Sequence, residues 1–93
     1  MNIQREESTS KGTIFIEEDG TRLAFMTYSK AGPSRIIIDH TEVSEALKGK
    51  NAGKQLVAAA VDYARKNNIK ILPLCPFARS VFDRVKEFAD VLE

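Results

Sequence analysis

The chain has 93 residues, of which 43% are apolar and 29% charged, with a formal charge of +1. That length suits one domain, residues 1–93, with a modest core, and the near-neutral balance argues against a general nucleic-acid binder, which carries a distinctly basic face. The lone cysteine, Cys75, closes no internal disulfide, no apolar run approaches a membrane span, and the polar stretch of residues 1–11 lacks the apolar core of a secretory signal. The cytoplasm is the expected location.

Residues 1–10 offer little to bury and read as a loose start, although Ile3 can open a short strand. Residues 13–17 (TIFIE) are β-branched and aromatic and predict a strand. Asp19-Gly20 follows, a type I′ turn signal, and residues 23–28 (LAFMTY) read as the second arm of a hairpin. Gly32-Pro33 punctuates a loop. Residues 35–41 predict a third strand, whose Ile36-Ile37-Ile38 run suits a strand buried on both faces.

A polar connection leads to a helix over residues 53–65, where Val57, Val61 and Ala64 recur at helical spacing and Asn67-Asn68 is a plausible stop. Residues 69–74 form a fourth, short apolar strand ended by Cys75-Pro76. Ala78, Val81, Phe82, Val85, Phe88, Ala89 and Leu92 mark one face of a C-terminal helical segment, with a bend at Lys86-Glu87. The order is β-β-β-α-β-α, an α/β (α+β) fold. Short loops make the first three strands an antiparallel meander. The helix between the third and fourth strands favours a parallel pair.

The richest segment is Lys48-Gly49-Lys50-Asn51-Ala52-Gly53-Lys54, between a strand and a helix. Glycines let the backbone approach a ligand closely. The first helical turn leaves N–H groups unpaired, and its dipole favours negative charge. With the lysines these features describe a pyrophosphate cradle; the alternative is a solvated, lysine-rich helix start. A Walker A loop is a poor match: Gly49 and Gly53 enclose too few residues, and Gln55 stands where a magnesium-binding hydroxyl belongs. The pattern G-x-G-x-x-G is absent.

Ile38-Asp39-His40-Thr41-Glu42-Val43, then Leu47 to Gly53, a helix, and Leu72-Pro73-Leu74-Cys75-Pro76-Phe77-Ala78 together resemble the small bacterial GNAT-like, YjdJ-type acetyltransferases of the GNAT superfamily. The likeness runs from about Gly12 onward. The superfamily's coenzyme A loop is Q/R-x-x-G-x-G/A; Lys48 takes its first position, Asn51 its first glycine and Gly53 its second. Asn is the best non-glycine substitute for a left-handed residue. The resemblance implies a minimal GNAT fold in which the parallel strands splay at their C-terminal ends. The pantetheine arm of acetyl-coenzyme A would enter that wedge beside Thr41, Glu42, Val43, Cys75 and Phe77. The pyrophosphate would lie on Lys48, Gly49, Lys50, Asn51, Ala52, Gly53 and Lys54. Backbone N–H groups around Glu42-Val43 would polarise the thioester carbonyl.

The activity so implied is acetyl-coenzyme A-dependent N-acetylation of an unidentified amine acceptor, with proteins or peptides among the candidates because the chain has no room for the extra helices that shape the acceptor site of larger members. A coenzyme A-binding module with little or no transferase activity is the alternative. Three side chains are candidates for chemistry. Cys75, ending the fourth strand, can attack a thioester if its pKa is lowered, or it is a small buried residue. His40, the lone histidine, can serve as a base or pack as a strand residue. Glu42 is a second base candidate or a solvated carboxylate. One histidine and one cysteine far apart suggest no zinc site. Phe77, Phe82 and Phe88 are explained by core packing, and Arg79 either meets the adenosine phosphate or is solvated.

Overall fold

Asp19 and Gly20 carry φ values of 51° and 79°, the positive pair that a type I′ turn demands. They close the hairpin between β2 (Lys11–Glu18) and β3 (Thr21–Lys30). The computed structural model describes residues 2–93. Among these, five strands form one sheet in the order β1-β2-β3-β4-β5. The other strands are β1 (Ile3–Glu7), β4 (Arg35–Val43) and β5 (Lys70–Pro73). The helices are α1 (Ala52–Asn67) and α2 (Pro76–Arg84), with 3-10 turns at Glu45–Leu47 and Lys86–Val91.

The expected order gains a strand. Instead of a loose start, β1 pairs antiparallel with β2 along its whole length, from Ile3↔Ile16 to Glu7↔Gly12. Four of its five side chains are exposed, so no hydrophobic alternation marks it. Polar bonds hold its end. The Glu7 carboxylate accepts from Tyr28 Oη (2.8 Å), Tyr63 Oη (3.0 Å), Arg5 Nη1 (3.1 Å) and Lys30 Nζ (3.2 Å). One carboxylate thus ties β1 to β3 and α1.

The core lies between one face of the sheet and the helices. Ile14, Ile16, Met26, Tyr28, Ile36, Ile38 and Ile71 meet Leu56, Val57, Ala60 and Val61 of α1 and Ala78, Val81 and Phe82 of α2. On the opposite face Phe25, Ile37 and Leu72 stay half-exposed. The isoleucine run is therefore buried on one side only: Ile36 and Ile38 are sealed, and Ile37 is not, because both helices pack on the same face. Helix α1 stops at Asn68, whose φ of 58° provides the left-handed cap. The C-terminal segment breaks at Val85, one residue before the expected bend. No helix among the described residues is long and apolar enough to cross a membrane.

Candidate active site

The parallel pairing of β4 with β5 runs only from Arg35↔Lys70 to Ile38↔Pro73. Beyond it β4 continues to Val43, while Pro73 and Pro76 turn the other chain away into α2. The Ile38 carbonyl takes the last bonds across the gap, from the N–H groups of Leu74 and Cys75, both at 3.1 Å. The far end of β4 is left with one open edge.

A bulge decides which groups face that edge. Tyr28 pairs with Ile38 and Thr27 with His40, so Asp39 is an extra residue in β4. Ile38 directs its carbonyl towards β5, and the Ser44 N–H bonds the Leu23 carbonyl on the β3 side. Backbone direction alternates along a strand, so Thr41 and Val43 present their N–H and C=O groups to the opening. The backbone of Glu42 points to β3 instead, where it pairs with Phe25. Of the three expected residues, Thr41 and Val43 thus direct their backbone groups to the opening and Glu42 directs its own to β3.

Cys75 sits against this edge. It is buried, 6% exposed, and occupies the residue before the first turn of α2. Its Sγ lies 3.5 Å from Thr41 Oγ1. Burial pushes the thiol pKa up. The hydrogen bond with the Thr41 hydroxyl, in which the thiol donates to Oγ1 and the thiolate would accept, and the N–H groups of Ala78, Phe77 and Thr41 outweigh it and bring the thiol below the ordinary value of 9.0. Donors gathered at a helix start are the usual way to favour a thiolate.

Next to the open edge is a cleft of about 560 Å³. The expected residues Val43, Lys48, Gly49, Asn51, Ala52, Gly53, Lys54 and Phe77 line it. Leu47, Arg84 and Val85 also line it and were not foreseen; Arg84 and Val85 are distant in sequence, and only the return of α2 beside α1 brings them in. Lys50 does not line the cleft, and neither does Arg79. The lining contains no carboxylate. Asn51 takes the left-handed conformation at φ 58°, and its side chain makes no capping bond. The first N–H groups of α1 therefore have no protein acceptor, and no acidic residue stands in the first turn. A negatively charged ligand is what such a cleft favours. Phe77, 38% exposed, leaves the core packing that Phe82 and Phe88 share and turns into the cleft beside Val43, 37% exposed.

His40 and Glu42 come together on the half-exposed face of the sheet, with His40 Nε2 3.5 Å from Glu42 Oε2 and the His40 ring 6.1 Å from that of Phe25. The alternation that aims Thr41 at Cys75 puts these two side chains on the other side of β4.

The site thus combines a parallel pair that parts at its C-terminal end, an anion-favouring loop before the helix that joins its strands, and a donor-rich thiol at the opening of an α/β fold. The model of the GCN5-related N-acetyl-transferase family matches residues 13–91, and the chain belongs to that family. A Staphylococcus aureus protein described as a GCN5-like N-acetyltransferase, solved by NMR, is 36% identical over 99% of this chain and 89% of that one, with a TM-score of 0.72. A ribosomal-protein-alanine N-acetyltransferase of Brucella melitensis shares the fold at 18% identity and a TM-score of 0.70; it is matched over 84% of this chain, which spans 62% of that protein. An aminoglycoside N-acetyltransferase solved with coenzyme A shares it at 11% identity and a TM-score of 0.64, over 89% of this chain and 88% of that one. No curated protein matches the chain.

Proposed function

We propose that this protein is an acetyl-coenzyme A-dependent N-acetyltransferase working from residues 1–93 as one domain, with an amine on a protein or peptide as acceptor. The observation that carries the reading is the open edge of β4, where Thr41 and Val43 face the wedge, the Cys75 thiol meets Thr41, and Val43 and Phe77 continue into an acid-free, cation-rimmed cleft. The residues fit the coenzyme. Thr41 and Val43 would pair with the amides of the pantetheine arm, as a neighbouring strand does. Val43 and Phe77 supply its apolar contact. The N–H groups of α1, with Lys48 and Lys54, would hold the pyrophosphate.

Acetyl-coenzyme A supplies an acetyl group activated as a thioester. Cys75, as thiolate, would attack that carbonyl; a carbon–sulfur bond to Cys75 forms, the bond to the coenzyme sulfur breaks, and the departing thiolate takes a proton. The acceptor amine then displaces Cys75, which leaves as thiolate again. On the outer side of the wedge the His40–Glu42 pair would take the proton released by the amine. Among the described residues no helix packs on that face, which would leave it open to an extended peptide. A reactive free cysteine also suits a reducing compartment such as the cytoplasm.

Calorimetric titration with acetyl-coenzyme A, coenzyme A and ATP tests the reading. Saturable one-to-one binding of the coenzyme A species, with ATP much weaker, supports it. No binding at millimolar ligand would remove it.

A further inference from the structure

We propose that Arg84 binds the 3′-phosphate on the adenosine ribose of coenzyme A, so that this site selects coenzyme A over dephospho-coenzyme A. The inference rests on the coenzyme reading above and adds a specificity element to it. Arg84 lies in the last turn of α2 and lines the cleft together with Phe77 and Val85. It is exposed, and no carboxylate among the described residues comes within ion-pair distance of it.

Helix geometry fixes where this charge stands. Phe77 and Arg84 are seven positions apart, two turns, and share one face of α2. Arg79 is two positions from Phe77, roughly 200° around the helix, and lies outside the cleft. Helix α2 starts at the thiol. At about 1.5 Å per residue Arg84 is roughly 13 Å further along its axis, at the end of the cleft away from the acyl chemistry.

A coenzyme A molecule with its thioester near Cys75 and its pyrophosphate on the α1 side has one charged group left to place, the ribose phosphate beyond the pyrophosphate. That group is a phosphomonoester of about −1.5 to −2 charges at neutral pH. A guanidinium binds it through paired N–H donors, a geometry no lysine of the loop offers. Arg84 is the unpaired guanidinium on the wall facing that end.

The test is affinity, not turnover. Calorimetric dissociation constants for coenzyme A and dephospho-coenzyme A would be measured on the wild-type protein, Arg84→Gln and, as a control, Arg79→Gln. Wild-type protein is expected to prefer coenzyme A about tenfold or more. Arg84→Gln should lose that preference by weakening coenzyme A alone, and Arg79→Gln should keep it. Arg84→Gln weakening both ligands equally, or neither, overturns the assignment; so does a wild-type protein that binds both equally well, which leaves the coenzyme reading standing. A wild-type protein that binds neither ligand removes the coenzyme reading and this inference with it.

Discussion

Phe77 holds its ring over Gly53: a Cβ on that glycine would lie 2.4 Å from Phe77 Cζ and 2.6 Å from Cε2. Helix start and cleft wall are thus in direct contact, and a side chain at position 53 displaces the ring before it meets any ligand. Alanine in a helix gains about 1 kcal/mol over glycine. That gain should appear in a Phe77→Ala background and be offset by the displaced ring in the wild type. Gly53→Ala is expected to be more favourable by at least about 1 kcal/mol in the Phe77→Ala background, measured by urea unfolding. Equal effects in both backgrounds would show the ring and the backbone to be uncoupled.

Thr41→Val removes a hydroxyl that steadies the Cys75 thiolate. In the wild type, the rate of alkylation by iodoacetamide should reach its plateau with a midpoint below 9.0, and the midpoint should move up in Thr41→Val. The stability linkage has a definite sign. A depressed folded pKa means that the thiolate's contribution is full above the unfolded pKa and is lost as pH falls through the folded one. The advantage of wild type over Cys75→Ala should therefore grow with pH between those two values. A midpoint that does not move in Thr41→Val excludes the hydroxyl as an activator. Intact-mass measurement after exposure to acetyl-coenzyme A should show one acetyl group on the wild type and none on Cys75→Ala.

Glu7 is expected to control β1 alone. Glu7→Ala leaves the hydroxyls of Tyr28 and Tyr63 without their shared acceptor, at a cost of about 1–3 kcal/mol. Amide exchange should quicken in β1 while α1 keeps its protection; uniform loss across the sheet would contradict a local clamp. Burial, with the Glu7 carboxylate adding to it against the opposing pull of Arg5, pushes the Tyr28 hydroxyl up from 10.0 to about 12. Neutral Tyr28 then contributes fully below pH 10.0 and loses that contribution towards about 12. Spectrophotometric titration should show this late ionisation, and Glu7→Gln should bring it down.

Asn51 tests the loop backbone. Its φ of 58° costs an ordinary L-residue roughly 1–2 kcal/mol. Asn51→Gly should leave stability and coenzyme A affinity close to wild type, whereas Asn51→Ala should lose about 1 kcal/mol of stability. Thermal and chemical unfolding of the two variants distinguishes them. Identical behaviour of both would mean that the left-handed turn is not required.

The hairpin, the parallel pair and both helices could be read from sequence because each rests on local chemistry: Asp19-Gly20 for the turn, Val57 and Val61 for the face of α1, Pro76 for the start of α2. Strand β1 was legible only as a possible start at Ile3, since its residues are mostly charged and its anchor, Glu7, bonds to Tyr63 far along the chain. The glycines, lysines and helix start of residues 48–54 marked the loop in sequence, and all but Lys50 line the cleft. Arg84 escaped because its place in the cleft depends on tertiary packing. Thr41 was expected beside the coenzyme, but its contact with the Cys75 thiol was not, because that contact depends on the bulge at Asp39.

That bulge gives the site an unusual dependence. Asp39 is exposed on the half-open face and hydrogen-bonds only Ser29 among the described side chains, yet it sets the phase of everything after it in β4. Without it, the strand would run in step with β3 throughout, and Thr41 would turn its N–H away from the Cys75 sulfur. Ligand recognition at this opening is encoded in a count of residues as much as in their kinds: a single-residue deletion remote from the cleft could erase it, while many exchanges of side chain at that position would pass unnoticed.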